Sequence, residues 1–410
     1  MQTSPSTTAA ASPAGGTANP APNPAPSPAG GTGAASARPP VLVIVQLSGG
    51  NDFMNTLIPY TEGIYYDTRP TIGIPQDQVL PISDTLAFHP AAGPLRELYR
   101  EGHVAIVQGI GYENSSRSHF RALDIWHTCE PEKVATEGWL AHVIRQLDPR
   151  GENPLTAVSF GRGLPRALAA PGVRATSVDN LDTYGLLSGI EAEAQRQQDL
   201  EVFKRMYTPA VGAGLVADYL RQTGQGVLDG AERLKVAVQR YQSDVQYADN
   251  AIARSLRDVA RVHTAGLGTR VFYTQHGGYD HHAQELPSHN RLLGEVTTAL
   301  TAFTQDLRAH DAADNVAILV FTEFGRRIKD NGSGTDHGSG GGAFVLGAGV
   351  RGGLYAEYPS LAQADWLNGE DLRHTVDFRS VYSTMLEQWM GIEARPIVGG
   401  AYEQLPLFQG

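Results

Sequence analysis

The chain has 410 residues, with 32 Lys and Arg against 43 Asp and Glu, a formal net charge of -11. That balance argues against a general nucleic-acid binder, which needs a basic footprint, and against adsorption to anionic lipid. Cys129 is the single cysteine, so an internal disulfide and a cysteine-based zinc site are excluded, and any metal must be held by His, Asp, Glu and hydroxyl or water oxygens.

The length suits one large α/β domain or two ordinary ones. No run of about 18 apolar residues occurs, so no segment reads as a membrane span. Residues 1–40 are Ala, Pro, Gly, Ser and Thr with almost no large apolar side chain, and such a segment is expected to be a disordered tether. It lacks the basic and apolar regions of a signal peptide. Tethers of this composition often follow an export signal, which suggests an extracytoplasmic protein, in the periplasm or at the cell surface. The alternative is a tail without a role.

The fold is expected to start at Val41–Leu47, an apolar run without polar–apolar alternation that reads as a strand buried on both faces. A short helix is predicted over Leu95–Tyr99, a strand over Val104–Gln108, a helix over Phe120–His127 capped by Ser118, and a strand over Thr156–Phe160. Residues 190–264 read as a helical insertion with breaks near Pro209 and Gly224. Residues 284–309 form an amphipathic helix with Leu292, Leu293, Val296, Leu300, Phe303 and Leu307 on one stripe. Strands near 270–274, 316–321 and 343–347 complete a doubly wound, mostly parallel sheet flanked by helices, over residues 41–410.

Acidic and imidazole groups recur where these strands end, which is where open α/β sheets place their sites. Ser48-Gly49-Gly50-Asn51-Asp52 follows the first strand; as a plain turn, its Asp would be an Asx cap. Asn114-Ser115-Ser116-Arg117-Ser118-His119-Phe120 follows the second. There Ser118 sits at a helix N-terminus, and Arg117 has the fork geometry for an oxyanion. Gly277-Gly278-Tyr279-Asp280-His281-His282 holds three adjacent potential ligands, of which one histidine is expected to join Asp280; His276 reads as a surface residue. Glu323 ends the run Val316–Thr322. Thr335-Asp336-His337-Gly338 puts another imidazole in a glycine-rich loop, with Asp336 as its orienting partner. Histidine with carboxylate suits zinc, and manganese, iron or magnesium are also compatible.

Taken together, these motifs resemble the DUF1501 family, a branch of the alkaline phosphatase and sulfatase-like superfamily. The resemblance runs over roughly residues 41–410 and includes Thr322-Glu323-Phe324-Gly325-Arg326 and Gly347–Gly353. It implies an alkaline-phosphatase-like fold, one or two divalent metal ions, and a hydrolase of phosphate or sulfate esters, on small molecules or glycans, acting through a serine nucleophile. By position, Asp52 and Glu323 bind one metal, and Asp280, His282 and His337 the other. Ser118 is the nucleophile, with Arg117 and His119 as catalytic neighbours and Asn51, His281 and Arg326 toward the substrate. A hydroxide route would instead use His119 or His281 as base. The chain departs from the superfamily pattern at Glu323-Phe324, where Asp-His is usual. This departure implies a competing outcome, a single-metal or non-catalytic protein with a binding or scaffold role.

Overall fold

The structure is a computed structural model that describes residues 38–161, 163–184, 192–206 and 215–409. The tether expected over residues 1–37 lies outside the described residues, as do Pro209 and Arg162. Arg38, Pro39 and Pro40 belong to the fold. Arg38 bonds Asp311 and Asp314, and the carbonyls of Pro39 and Pro40 accept from Asn315 Nδ2 and Arg270 Nε.

The strands are β1 (Val41–Ser48), β2 (Leu57–Ile58), β3 (Leu80–Pro81), β4 (Ala87–Phe88), β5 (Val104–Gly111), β6 (Ala157–Phe160), β7 (Thr176–Val178), β8 (Val271–Gly277), β9 (Val316–Thr322), β10 (Gly341–Gly347), β11 (Gly353–Tyr355) and β12 (Val376–Asp377). Nine of them form the main sheet in the order β11-β5-β10-β9-β1-β8-β6-β7, with β12 beside β5; β2, β4 and β3 make a small second sheet. Every pairing in the main sheet is parallel except those of β10, which runs antiparallel to both β5 and β9. The helices are α1 (Phe53–Thr56), α2 (Gly63–Thr68), α3 (Gly93–Arg100), α4 (His119–Thr128), α5 (Trp139–Leu147), α6 (Glu193–Met206), α7 (Leu215–Arg240), α8 (Ala251–Thr264), α9 (Glu285–Ala309), α10 (Phe378–Thr384) and α11 (Arg395–Val398).

Side chains alternate between the faces of a strand, so β1 divides its apolar run between two cores. Val41, Val43, Val45 and Leu47 face the layer of α3, α8 and α9. Leu42 and Ile44 face the layer of α4, α5 and α10. A strand covered on both sides needs apolar side chains on both faces, which is why it was legible from the sequence.

Two local expectations change. The break near Gly224 is absent, because α7 runs unbroken from Leu215 to Arg240. Ser118 is the N-cap residue of α4 by backbone conformation, but its side chain makes no capping bond, leaving the hydroxyl uncommitted to the helix. Among the described residues, no helix is long and apolar enough to cross a membrane.

Candidate metal centre

The parallel strands β1, β8 and β9 end together, since Ser48 pairs with Gly277 and Leu47 with Thr322. Their trailing loops therefore meet at one edge. Gly49 has φ +121° and lies so close to the β8 loop that a Cβ would fall 2.5 Å from Asp280 N. Only glycine permits that approach. The segment Gly325–Arg327 pairs back on Asp336–Ser339, with Gly325 N–H donating to Ser339 O at 2.7 Å and Arg327 N–H to Asp336 O at 3.0 Å. That pairing sets His337 opposite Arg326. Arg326 is buried and ties the loops together. Its donors reach Gly50 O at 2.8 Å, Thr335 O at 3.0 Å, Tyr279 O at 2.8 Å and Asp280 Oδ1 at 2.9 Å, and also Gly49 O.

Three imidazoles surround Asp280 on this scaffold. His119 Nδ1 lies 2.9 Å from Glu323 Oε1, His337 Nδ1 2.7 Å from Arg117 O, and His282 Nδ1 3.2 Å from Asp336 Oδ1. Each of these partners accepts hydrogen bonds, so each Nδ1 carries a proton, and a neutral ring then has its lone pair on Nε2. The three Nε2 atoms converge. His337 Nε2 is 2.9 Å and His282 Nε2 3.1 Å from Asp280 Oδ1, the two nitrogens are 3.0 Å apart, and His119 Nε2 is 3.4 Å from Asp280 Oδ2. His119 Nε2 is also buried without a hydrogen-bond partner.

With the rings neutral, three lone pairs aimed at a carboxylate repel one another unless a cation lies among them. The donor set, three imidazoles and one carboxylate, suits a divalent metal, with each ring oriented from behind by an acceptor. The ligand atoms of His119, Asp280 and His337 all lie within 4.8 Å of one another. Burial opposes ionisation of Asp280, but the contacts from His337 and Arg326 outweigh it and hold the carboxyl well below the usual range. The hydrogen bond to Glu323 raises the His119 imidazole above its ordinary value, so protons compete with a metal there.

The other residues singled out from the sequence fall in different places. Glu323 is buried behind His119. Its Oε1 accepts from Gly49 N–H at 2.9 Å and its Oε2 from the Thr322 hydroxyl at 3.1 Å, which leaves it the partner of the His119 imidazole. Phe324 packs on the rings of His119 and His337, with centroids 4.8 and 4.9 Å away. The position beside Glu323 is thus an apolar wall. Ser118 is exposed and lies between two groups of the cluster, the Arg117 carbonyl and the His119 ring. The Arg117 side chain turns away, with Nε 3.0 Å from Asp371 Oδ2 and Nη1 3.5 Å from Glu370 Oε2. Asp336 orients His282 rather than His337. His276 is buried, 2.9 Å from the Tyr279 hydroxyl and 3.1 Å from Glu295 Oε2, and is no surface residue.

Asp52 lies apart from the cluster. It caps α1 through Asn55 N–H at 3.3 Å and pairs with Arg69, whose Nε reaches Ile328 O at 3.0 Å. Burial opposes ionisation of Asp52, and the Arg69 guanidinium overcomes it, holding the carboxyl well below its usual range. Glu285, His281, His289 and His89 complete this buried group. Burial and then the Asp52 charge push the Glu285 carboxyl well up, and burial brings His289 down to about 3. Asn51 is buried beside it, donating to Thr56 Oγ1 at 3.0 Å. Asn51, His281 and Arg326 are all buried, and the bonds of Asn51 and Arg326 run to the protein itself. Arg69 and Glu285 carried no sequence signal, since neither stands in a glycine-rich loop at a strand end.

The family described as "Protein of unknown function (DUF1501)" matches residues 127–399, well over half of the chain. The matched stretch contains Asp280, His282, Glu323 and His337; Ser118 and His119 precede it. No curated protein matches the chain. Among solved structures, a protein in the alkaline phosphatase superfamily from Vibrio parahaemolyticus is similar at 10% identity over 89% of this chain and 69% of that one, with a TM-score of 0.40. A sulfatase from Pseudoalteromonas sp. is similar at 12% identity over 90% and 71%, with a TM-score of 0.37. A phosphonate monoester hydrolase from Silicibacter pomeroyi is similar at 10% identity over 89% and 77%, with a TM-score of 0.36. At these scores the likenesses are loose. The chain belongs to the DUF1501 family.

Proposed function

We propose that this protein is a metal-dependent hydrolase of phosphate or sulfate esters, acting outside the cytoplasm, with Ser118 as nucleophile. The observation that carries this reading is the convergence of three imidazole lone pairs on the Asp280 carboxylate. His119, His282, His337 and Asp280 would hold one divalent metal, zinc first among the candidates. A divalent metal supplies Lewis-acid charge to a bound phosphoryl or sulfuryl oxygen and favours an ionised hydroxyl beside it.

The chain's own residues do the rest. Glu323, the Arg117 carbonyl and Asp336 keep the three imidazoles in one tautomer. Arg326 neutralises part of the Asp280 charge and fixes the carboxylate. Ser118, at the start of α4, has its hydroxyl free of capping, and the first N–H groups of the helix favour negative charge there. Its oxygen would bond to phosphorus or sulfur while the ester oxygen leaves with a proton, and water would then release the anion from Ser118.

A second reading is a single-metal binding protein without turnover. Phe324 favours it, because it fills the side of the cluster where a second metal would find its imidazole. Elemental analysis and turnover on a panel of phosphate and sulfate esters separate the two. One equivalent of metal with turnover that Ser118→Ala abolishes supports the hydrolase. Metal without turnover on any ester moves the assignment to binding, and a chain that takes up no metal after reconstitution removes both.

A further inference from the structure

Gln46 interrupts the apolar run of β1, and it is buried. A polar side chain inside such a strand is costly unless its groups are bonded. Here they all are. Its Oε1 accepts from the Tyr273 hydroxyl on β8 and from His127 Nε2 on α4, the latter at 2.8 Å. Tyr273 and His127 lie 3.1 Å apart. Gln46 Nε2 donates to Ser48 Oγ at 2.7 Å. The bond from Gln46 Nε2 carries this network along β1 to Ser48, the last residue of the strand.

Ser48 is half-buried and ends β1, the strand between β8 and β9. The loop after β8 carries Asp280, and the residue after β9 is Glu323. The next peptide N–H along the chain, that of Gly49, donates to Glu323 at 2.9 Å. Gln46 and Ser48 are two apart in a strand and so share a face, the one covered by α4, whose first residue is His119. His127 holds the far end of α4 to this same network. The Ser48 oxygen uses a lone pair on Gln46, while its own hydrogen has no acceptor among the described residues.

We propose that Ser48 is a second hydroxyl of the metal centre, donating its O–H to a non-bridging oxygen of a tetrahedral anion bound there, with Gln46 as its positioning residue. The proposal rests on the reading of the cluster as an ester-hydrolase centre. The polar trio of Gln46, Tyr273 and His127, otherwise costly inside the sheet, then turns one hydroxyl outward and leaves its hydrogen free for the ligand.

The test is calorimetric titration of inorganic phosphate into the zinc-loaded full chain, with metal content measured in each variant. Ser48→Ala should keep its metal and bind phosphate about tenfold more weakly, the size expected for one hydrogen bond to a charged ligand. Ser48→Thr, which keeps the hydroxyl, should restore binding. Gln46→Leu should reproduce part of the loss with metal retained, a pattern that a general loss of structure would not give. If Ser48→Ala binds phosphate as the wild type does, the Ser48 assignment fails and the hydrolase reading stands. If Ser48→Ala loses the metal, Ser48 acts on the metal and the assignment also fails. If the metal-loaded wild type binds no phosphate, both fall together.

Discussion

Two clusters of carboxylate and imidazole lie at the same edge of the sheet, and they are built on opposite principles. The buried one joins Asp52, Arg69, Glu285 and His289 on the side of α1 and α9. Its charge is paired inside the protein: Asp52 pairs with Arg69, burial and the Asp52 charge push the Glu285 carboxyl well up, and burial brings His289 down to about 3. The exposed one joins His119, His282, His337 and Asp280. It leaves three imidazole Nε2 atoms and a carboxylate facing one another, with the buried Arg326 guanidinium bonded to that carboxylate. A cluster that balances itself in the interior holds the fold together, whereas one left unbalanced and open to solvent calls for a ligand.

Breaking the buried pair should have the largest effect. Arg69→Met leaves Asp52 as an uncompensated buried charge and should cost about 3–5 kcal/mol of stability, read by urea denaturation. Loss of metal at constant stability would instead show that the two clusters are one site. His337→Ala attacks the exposed cluster, and should weaken zinc binding by about a hundredfold or more while leaving the denaturation midpoint of the metal-free chain nearly unchanged. Competition with a metal-binding dye measures it, and unaltered affinity would remove His337 from the ligand set. Glu323→Ala unties His119 from behind and should weaken zinc binding by about 10–100-fold, the usual reach of an orienting partner. An effect as large as that of His337→Ala would instead make Glu323 a ligand.

The smallest effect sharpens the contrast through pH. The Glu285 carboxyl is raised by burial and by Asp52, so its folded value exceeds its unfolded one of about 4.3. The stability it contributes is fully present below that pH and is lost as the pH rises through the folded value. Glutamine has no proton to lose. The stability of Glu285→Gln relative to wild type should therefore increase with pH, at up to about 1.4 kcal/mol per unit where Glu285 titrates. Denaturation curves from pH 5 to 9 measure it, and a constant difference would mean that Glu285 is ionised in the fold.

Much of the frame could be read without coordinates. Apolar runs such as Val41–Leu47 and Val316–Thr322 read as strands covered on both faces, and the glycine-rich segments behind them mark where the chain turns at the sheet edge. His282 and His281, being adjacent, had to point apart, and the structure sends one to the exposed cluster and the other to the buried one. What stayed hidden was the company each residue keeps. Asp52 stands in a motif that looks like a ligand position, yet Arg69 claims it from 17 residues away along the chain. Arg326 looks like an exposed anion binder but lies buried, donating to loop carbonyls and to Asp280.

The sequence by itself determined the sheet, its covered faces and the loops that carry chemistry, because hydrophobic periodicity and glycine content are local properties of the chain. Only the tertiary structure decided which carboxylates are balanced and which are left facing imidazoles. Charge compensation depends on distances between β1, α2, α4, the β8 loop and the His337 loop, and those distances exist only once the parallel strands have brought their ends together.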